Sequence, residues 1–233
     1  MVGLRRIEKY ARGVREGGWR DEIFYNEGIM DRTIGLVGFG AIAQKFVGFL
    51  KPFRTRILVH SGHLTDEEAA KWGVEKASLE QLFAESDVVS IHQGLTERTY
   101  HMVNEKLLRS MKKGALLINT ARGAVVEDEG LIKVLEEGHI NAVLDVMENE
   151  PPAPDSPLRK LENVTVLPHM GGPTIDRRQY CVTKLVDDIE KYLSGEKLEN
   201  LETYVPESQT KNMTVELSTL KAKMAEKEVK ESK

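Results

Sequence analysis

A doubly wound α/β fold, a parallel sheet with helices on both faces, is what three features of this chain predict. Short apolar runs recur through residues 31–172 and alternate with stretches of helical spacing, the pattern of strands buried on both sides. The first of these runs ends in Gly38-Phe39-Gly40-Ala41-Ile42-Ala43, a glycine turn that leads straight into a helical pattern. Side chains suited to helix N-caps, Ser78 and Asn104, stand before two later helical stretches.

The elements follow in order. Residues 1–30 read as a short basic amphipathic helix and a Gly17-Gly18-Trp19 turn, a linker helix with an arm. Residues 34–37 are the first strand and 41–50 the first crossover helix. Residues 56–60 form a second strand, 66–71 a helix, and 78–84 a helix opened by Ser78. Residues 87–91 are a buried strand, and Asn104 caps a helix that runs to Ser110. Residues 115–119 are a strand, 127–137 a helix, 142–146 a strand and 164–167 a last short strand. Residues 174–193 read as one long helix, with Cys181 expected in its packed face. After Pro206 the composition shifts, and residues 206–233 form a charged tail rich in Lys and Glu. No internal repeat is evident.

Composition narrows the function classes. Hydrophobic residues make up 40% and charged residues 30%, as in an ordinary globular chain. The net charge of −4 advertises no nucleic-acid surface. No apolar run approaches the ~18 residues that span a membrane, and residues 1–20 lack the apolar core of a signal peptide. The one cysteine rules out an internal disulfide framework and suits a reducing cytoplasm. His60, His63, His101 and His139 lack metal-ligand spacing, so no metal site is expected.

The glycine turn has a physical reading. Gly38 permits the turn, Gly40 lets backbone approach a pyrophosphate, and small Ala43 lets the helix pack on the strand. Ala41 and Ile42 open the helix, whose first N–H groups and positive dipole end suit phosphates. A glycine turn that holds no ligand is the alternative reading of this motif alone. Polar residues then gather at later strand ends, where ligands bind in such sheets. One strand leads into Asn119-Thr120-Ala121-Arg122-Gly123, another into Asp145-Val146-Met147-Glu148-Asn149-Glu150-Pro151, and a third into Pro168-His169-Met170-Gly171-Gly172. Reduction of a 2-keto acid needs such a set. An arginine clamps the substrate carboxylate, a histidine exchanges the proton on the substrate oxygen, and a carboxylate orients the histidine. The hydride must come from a nicotinamide.

With these segments the chain resembles the D-isomer-specific 2-hydroxyacid dehydrogenase family, mainly its NAD-binding domain of Rossmann-like fold. The resemblance covers residues 5–205. It includes the Val14-Arg15-Glu16-Gly17-Gly18-Trp19 segment, residues 86–92, Leu95-Thr96, residues 113–123 and Pro168-His169. It implies an NAD(P)-dependent oxidoreductase acting on a 2-hydroxy or 2-keto acid. Arg122 would contact the substrate, and Glu150, directly before Pro151, would partner the acid/base His169. Glu148 competes for that role, and the following proline favours Glu150. Ala41 and Ile42 would meet the pyrophosphate. Thr120, Ala121 and Arg122 would line the nicotinamide ribose side, and Asp145 would face the carboxamide, unless it merely ends a strand. Gln93 and Gly94 would lie along the adenosine, and Gly171 and Gly172 near the nicotinamide. The family also implies a homodimer formed through this domain.

The chain departs from the family at three places. Ser61 stands where a ribose-binding acid is expected about 20 residues after the glycines, which leans the cofactor from NAD toward NADP. Gly94 replaces a usual proline, and residues 138–144 are one residue shorter than in many members. The family also carries most of its substrate domain ahead of the segment that opens this chain, so that domain is expected to be largely missing. The expected organisation is a linker helix and arm (1–30), a dinucleotide-binding domain (31–172), a C-terminal linking helix with a remnant of the substrate domain (173–205) and the tail (206–233). A dinucleotide-binding module with little activity alone is the competing reading.

Overall fold

A computed structural model of the chain describes residues 1–20 and 26–196. The charged tail at 206–233, the remnant at 197–205 and part of the arm fall outside those residues. Among the described residues seven strands form one sheet, all parallel: β1 (Thr33–Val37), β2 (Arg56–His60), β3 (Glu75–Lys76), β4 (Val88–Ile91), β5 (Leu116–Asn119), β6 (Asn141–Leu144) and β7 (Val164–Val166). Their order across the sheet is β3-β2-β1-β4-β5-β6-β7. The helices are α1 (Ile7–Arg15), α2 (Ala41–Leu50), α3 (Asp66–Trp72), α4 (Leu79–Glu85), α5 (Glu105–Ser110), α6 (Asp128–Glu136) and α7 (Ile175–Leu193).

The strand period of two divides the apolar side chains between the two faces. Ile34, Leu36, Ile57, Val59, Val88 and Leu116 pack with Val47 and Leu50 of α2 and with Ala69 of α3. Val37, Leu58, Val89, Ile91, Leu117, Ala142 and Leu144 pack on the other face with Leu82 and Phe83 of α4, Leu107 and Leu108 of α5, and Leu131, Val134 and Leu135 of α6. Both faces are covered, which is why the strands read as unbroken apolar runs. The expected caps form. Ser78 Oγ accepts from Gln81 N–H at 3.1 Å, and Asn104 Oδ1 from Leu107 N–H at 3.2 Å. Thr65 and Glu68 build a reciprocal capping box on α3.

Three findings differ from expectation. β3 was not anticipated, because Glu75 and Lys76 are both charged and exposed. They form a two-residue edge strand that the two-faced burial rule does not reach, held where Arg56 bonds Glu75 and Glu85. Cys181 is exposed, not packed. Val182, Leu185 and Ile189 of α7 are at least half exposed, and among the described residues the buried residue of that helix is Asp188, so the apolar periodicity there does not mark a buried face. Leu4 packs against the core on the α2 face, while Ile7 is 50% exposed.

Candidate functional site

Because the sheet is parallel, every strand delivers its following loop to the same edge. Neighbouring registers bring Val37 beside Ile91, Ile91 beside Asn119, Asn119 beside Leu144 and Leu144 beside Val166. The strand order reverses direction at β1 and β4, where a crevice opens in folds of this kind.

The turn after β1 enters that crevice. Gly38 has φ of +96°, and a Cβ there would stand 2.8 Å from the His92 carbonyl oxygen. Only glycine combines that φ with that approach. Its N–H donates to His60 O at 2.8 Å, and His92 N–H to Val37 O at 2.7 Å. Gly40 is the N-cap of α2, and no side chain caps the helix. A Cβ on Gly40 would meet nothing within 4 Å. Ala41 is exposed and Ile42 is 75% exposed. The first N–H groups of a helix have no intrahelical partners. Here they face open space with no acidic residue in the first turn, a cradle that suits a pyrophosphate. Ser61, after β2, accepts from His63 N–H at 3.4 Å. Gln93 and Gly94, after β4, are half-buried, and the Gly94 carbonyl accepts from the Thr99 hydroxyl at 2.8 Å.

The turn after β5 is built by Asn119, 1% exposed. Its Nδ2 donates to Arg122 O at 3.0 Å and its Oδ1 accepts from Ala121 N–H at 3.1 Å. Thr120 and Arg122 are left exposed at the edge. Arg122 Nη1 donates to Ala121 O at 2.7 Å, and among the described residues no carboxylate pairs with the guanidinium. Gly123 is buried against the next loop, where a Cβ would come within 1.9 Å of the Met147 carbonyl. The loops after β5 and β6 are therefore in backbone contact.

After β6 and β7 the site closes on itself. Asp145 is 2% exposed, with Oδ1 accepting from Met170 N–H and Oδ2 from Gly171 N–H, each at 2.8 Å. His169, in left-handed backbone with φ of +51°, donates its N–H to Asp145 O at 3.0 Å. Its Nδ1 lies 2.6 Å from Glu150 Oε2, while Glu150 Oε1 accepts from Met147 N–H at 3.1 Å. The His169 side chain is 53% exposed, and among the described residues its Nε2 has no protein partner. Gly172 follows, exposed. Glu148 does not reach His169. Its carboxylate, 10% exposed, meets His101 Nε2 at 2.8 Å and the Tyr100 hydroxyl at 3.3 Å. A cavity of about 630 Å³ adjoins the His169–Glu150 pair, between Arg12 of α1 and Leu158 and Arg159. A solvent-facing imidazole held at one nitrogen by a carboxylate can pass a proton at the other. An exposed guanidinium on the same sheet edge, with no carboxylate on it among the described residues, can clamp a carboxylate.

Two contributors escaped the sequence reading. Asn119 had a visible signal, an amide ending an apolar strand just before a turn. His101 had none, because its partner lies 47 residues away. No group of histidine, cysteine and acidic residues that could hold a metal occurs among the described residues.

Residues 1–171 match the family described as D-isomer specific 2-hydroxyacid dehydrogenase, NAD binding domain. A glyoxylate reductase of Korarchaeum cryptofilum is 40% identical over 206 residues, which are 86% of this chain and 62% of that protein. A glyoxylate/hydroxypyruvate reductase B of Yersinia enterocolitica is 37% identical over 209 residues, 86% of this chain and 63% of its own length. Among solved structures, a glyoxylate reductase from Paecilomyes thermophila superposes with a TM-score of 0.75 at 29% identity, covering 84% of this chain and 60% of that one. The chain thus spans a little over three-fifths of the length of these relatives.

His92 yields a pH prediction. Burial beside Phe46 pushes its imidazole down from 6.5 to about 4, and Nε2 lies 3.0 Å from Ser90 Oγ. The unfolded chain therefore takes up this proton at higher pH than the folded one. Stability falls as pH drops from about 7 toward 4. His92→Gln removes the titration and keeps a hydrogen-bonding group. Between about pH 7.5 and pH 5, wild type should lose about 2 kcal/mol more unfolding free energy than the variant. Urea melts at the two pH values measure it, and parallel losses would show that His92 is not the titrating group.

Proposed function

This chain belongs to the D-isomer specific 2-hydroxyacid dehydrogenase family, and we propose that it binds a nicotinamide dinucleotide and interconverts a small 2-hydroxy acid and its 2-keto acid, of the glyoxylate or hydroxypyruvate class that names its relatives. The observation that carries the reading is the His169–Glu150 pair at 2.6 Å, on the same sheet edge as Arg122 and the open N-terminus of α2. Residues 31–172 are the binding domain in this reading, with 1–30 and 173–205 as linking segments.

Gly38 and Gly40 admit the pyrophosphate, and the Ala41 and Ile42 N–H groups bind it. Gln93 and Gly94 lie along the adenosine, Thr120 and Ala121 along the nicotinamide ribose, and Asp145, Gly171 and Gly172 beside the carboxamide. When bound, the nicotinamide supplies the hydride that no side chain can carry. Arg122 clamps the substrate carboxylate and orients the carbonyl. In the reducing direction His169 Nε2 gives its proton to the carbonyl oxygen, and in the oxidising direction it takes that proton back. Glu150 holds Nδ1–H, which sets the tautomer and steadies the imidazolium. Ser61 supports NADP over NAD, since a hydroxyl can donate to a 2′-phosphate that an aspartate would repel.

A second reading is a dinucleotide-holding module with slow turnover. The exposure of Arg122 and of His169 favours it, because a wet site weakens orientation and electrostatic stabilisation. We further propose a homodimer through this domain and the linking segments that flank it, supported by Trp19, 75% exposed, and by the apolar residues of α7 that stand exposed among the described residues. The single free cysteine supports a reducing, cytoplasmic setting.

Three measurements test these proposals. Fluorescence titration should show NADPH binding at least as tightly as NADH, Ser61→Asp reversing that order, and Gly40→Val abolishing both; equal affinity in wild type and Gly40→Val would mean the phosphate site is misassigned. In an assay with glyoxylate or hydroxypyruvate, His169→Ala should lower the rate ~10²–10⁴-fold, whereas an unchanged rate would remove His169 from the chemistry. Light scattering should give twice the 26.2 kDa chain mass, and a monomer at high concentration would refute the dimer.

A further inference from the structure

The acid/base reading leaves a second histidine–carboxylate pair unused, and its carboxylate, Glu148, sits on the same short loop as Glu150. We propose that His101 and Glu148 are a positioning pair, whose contact sets the loop after β6 so that Glu150 meets His169. The proposal rests on the reading of His169 and Glu150 as the proton-transfer dyad.

Residues 145–150 have no helix or strand of their own, so their course depends on side-chain ties. Toward β7 the ties are Asp145 to Met170 and Gly171, and Glu150 to His169. Toward β4 the tie is Glu148, whose two oxygens meet His101 Nε2 at 2.8 Å and the Tyr100 hydroxyl at 3.3 Å. The Tyr100 and His101 rings stack at 3.9 Å and 16°. His101 is itself anchored. It sits in left-handed backbone with φ of +50°, and its N–H donates to Ala124 O at 2.9 Å. Val103 then pairs with Val126. Those contacts fix His101 to the segment that begins two residues after Arg122. On the far side, Met147 and Glu148 backbone atoms crowd Gly123. One histidine thus joins the loops after β4, β5 and β6.

The energetics give this tie leverage. A carboxylate only 10% exposed that loses its hydrogen-bonded partner must re-solvate, which moves the loop. Glu150 is two residues further on, and a short hydrogen bond to an imidazole fails with a small displacement.

The test uses the full 233-residue chain with ¹⁵N-labelled histidine, reading the imidazole signals by NMR without cofactor. Wild type should show a slowly exchanging Nδ1–H on His169. In His101→Ala and in Glu148→Gln that proton should exchange with water roughly tenfold faster, the scale of one charge-assisted hydrogen bond. His101→Gln, which keeps a donor, should restore much of the protection. Ile140→Val, a core change at the opposite end of β6 from the loop, controls for a general loss of stability and should leave the His169 signal alone. If Glu148→Gln fails to fold, His101→Ala, altering a side chain 31% exposed, decides alone. An unchanged His169 signal in the folded variants, or an equal change in Ile140→Val, overturns the proposal. Failure of dinucleotide titration would count against the proposed function and leave this result standing, since neither cofactor nor turnover enters the measurement.

Discussion

A buried carboxylate holds the loops at one edge of the sheet together. Asp145 is 2% exposed, and leaving such a charge unpaired would cost several kcal/mol. Two backbone N–H groups, from Met170 and Gly171, satisfy it. Its own backbone extends the tie in both directions, since Asp145 N–H donates to Asn119 O at 2.9 Å and Asp145 O accepts from His169 N–H. The loops after β5, β6 and β7 are therefore one bonded unit. The candidate arginine, glutamate and histidine are each carried by one of those loops. None of the three is deeply buried, so their relative placement comes from the backbone beneath them rather than from packing around them.

Environment separates the histidines of this edge into different roles. His92, packed on Phe46, is kept neutral by desolvation and serves the wall of the crevice. His169 is half exposed and bound to a carboxylate at Nδ1, and among the described residues its Nε2 has no protein partner. His101 is also bound to a carboxylate, but it is locked between a stacked tyrosine and a strand-end loop.

The sheet was legible because both of its faces are covered, which turns each strand into an apolar run and each crossover into an amphipathic one. The glycine turn after β1 was legible for a related reason, since Gly38 answers local demands of backbone conformation and close approach. Glu150 could be preferred over Glu148 by its place before Pro151, and the geometry puts Glu150 on His169. What escaped depended on distance in sequence. The Glu148–His101 contact spans 47 residues, and no periodicity encodes it. β3 escaped because two charged residues at a sheet edge need only backbone partners. Cys181 was misplaced because apolar periodicity reports a helix face and not whether anything covers it.

The central claim is that one sheet edge both receives the dinucleotide and presents the proton-transfer pair. Backbone amide NMR of the ¹⁵N-labelled chain during addition of NADPH tests it most directly. The account expects shifts confined to the strand-end loops, at residues 38–43, 61, 93–94, 120–123, 145 and 169–172, with the His169 imidazole responding in the same titration. Shifts centred on α1 or α7, or a response at the glycine turn with none around His169, would contradict it.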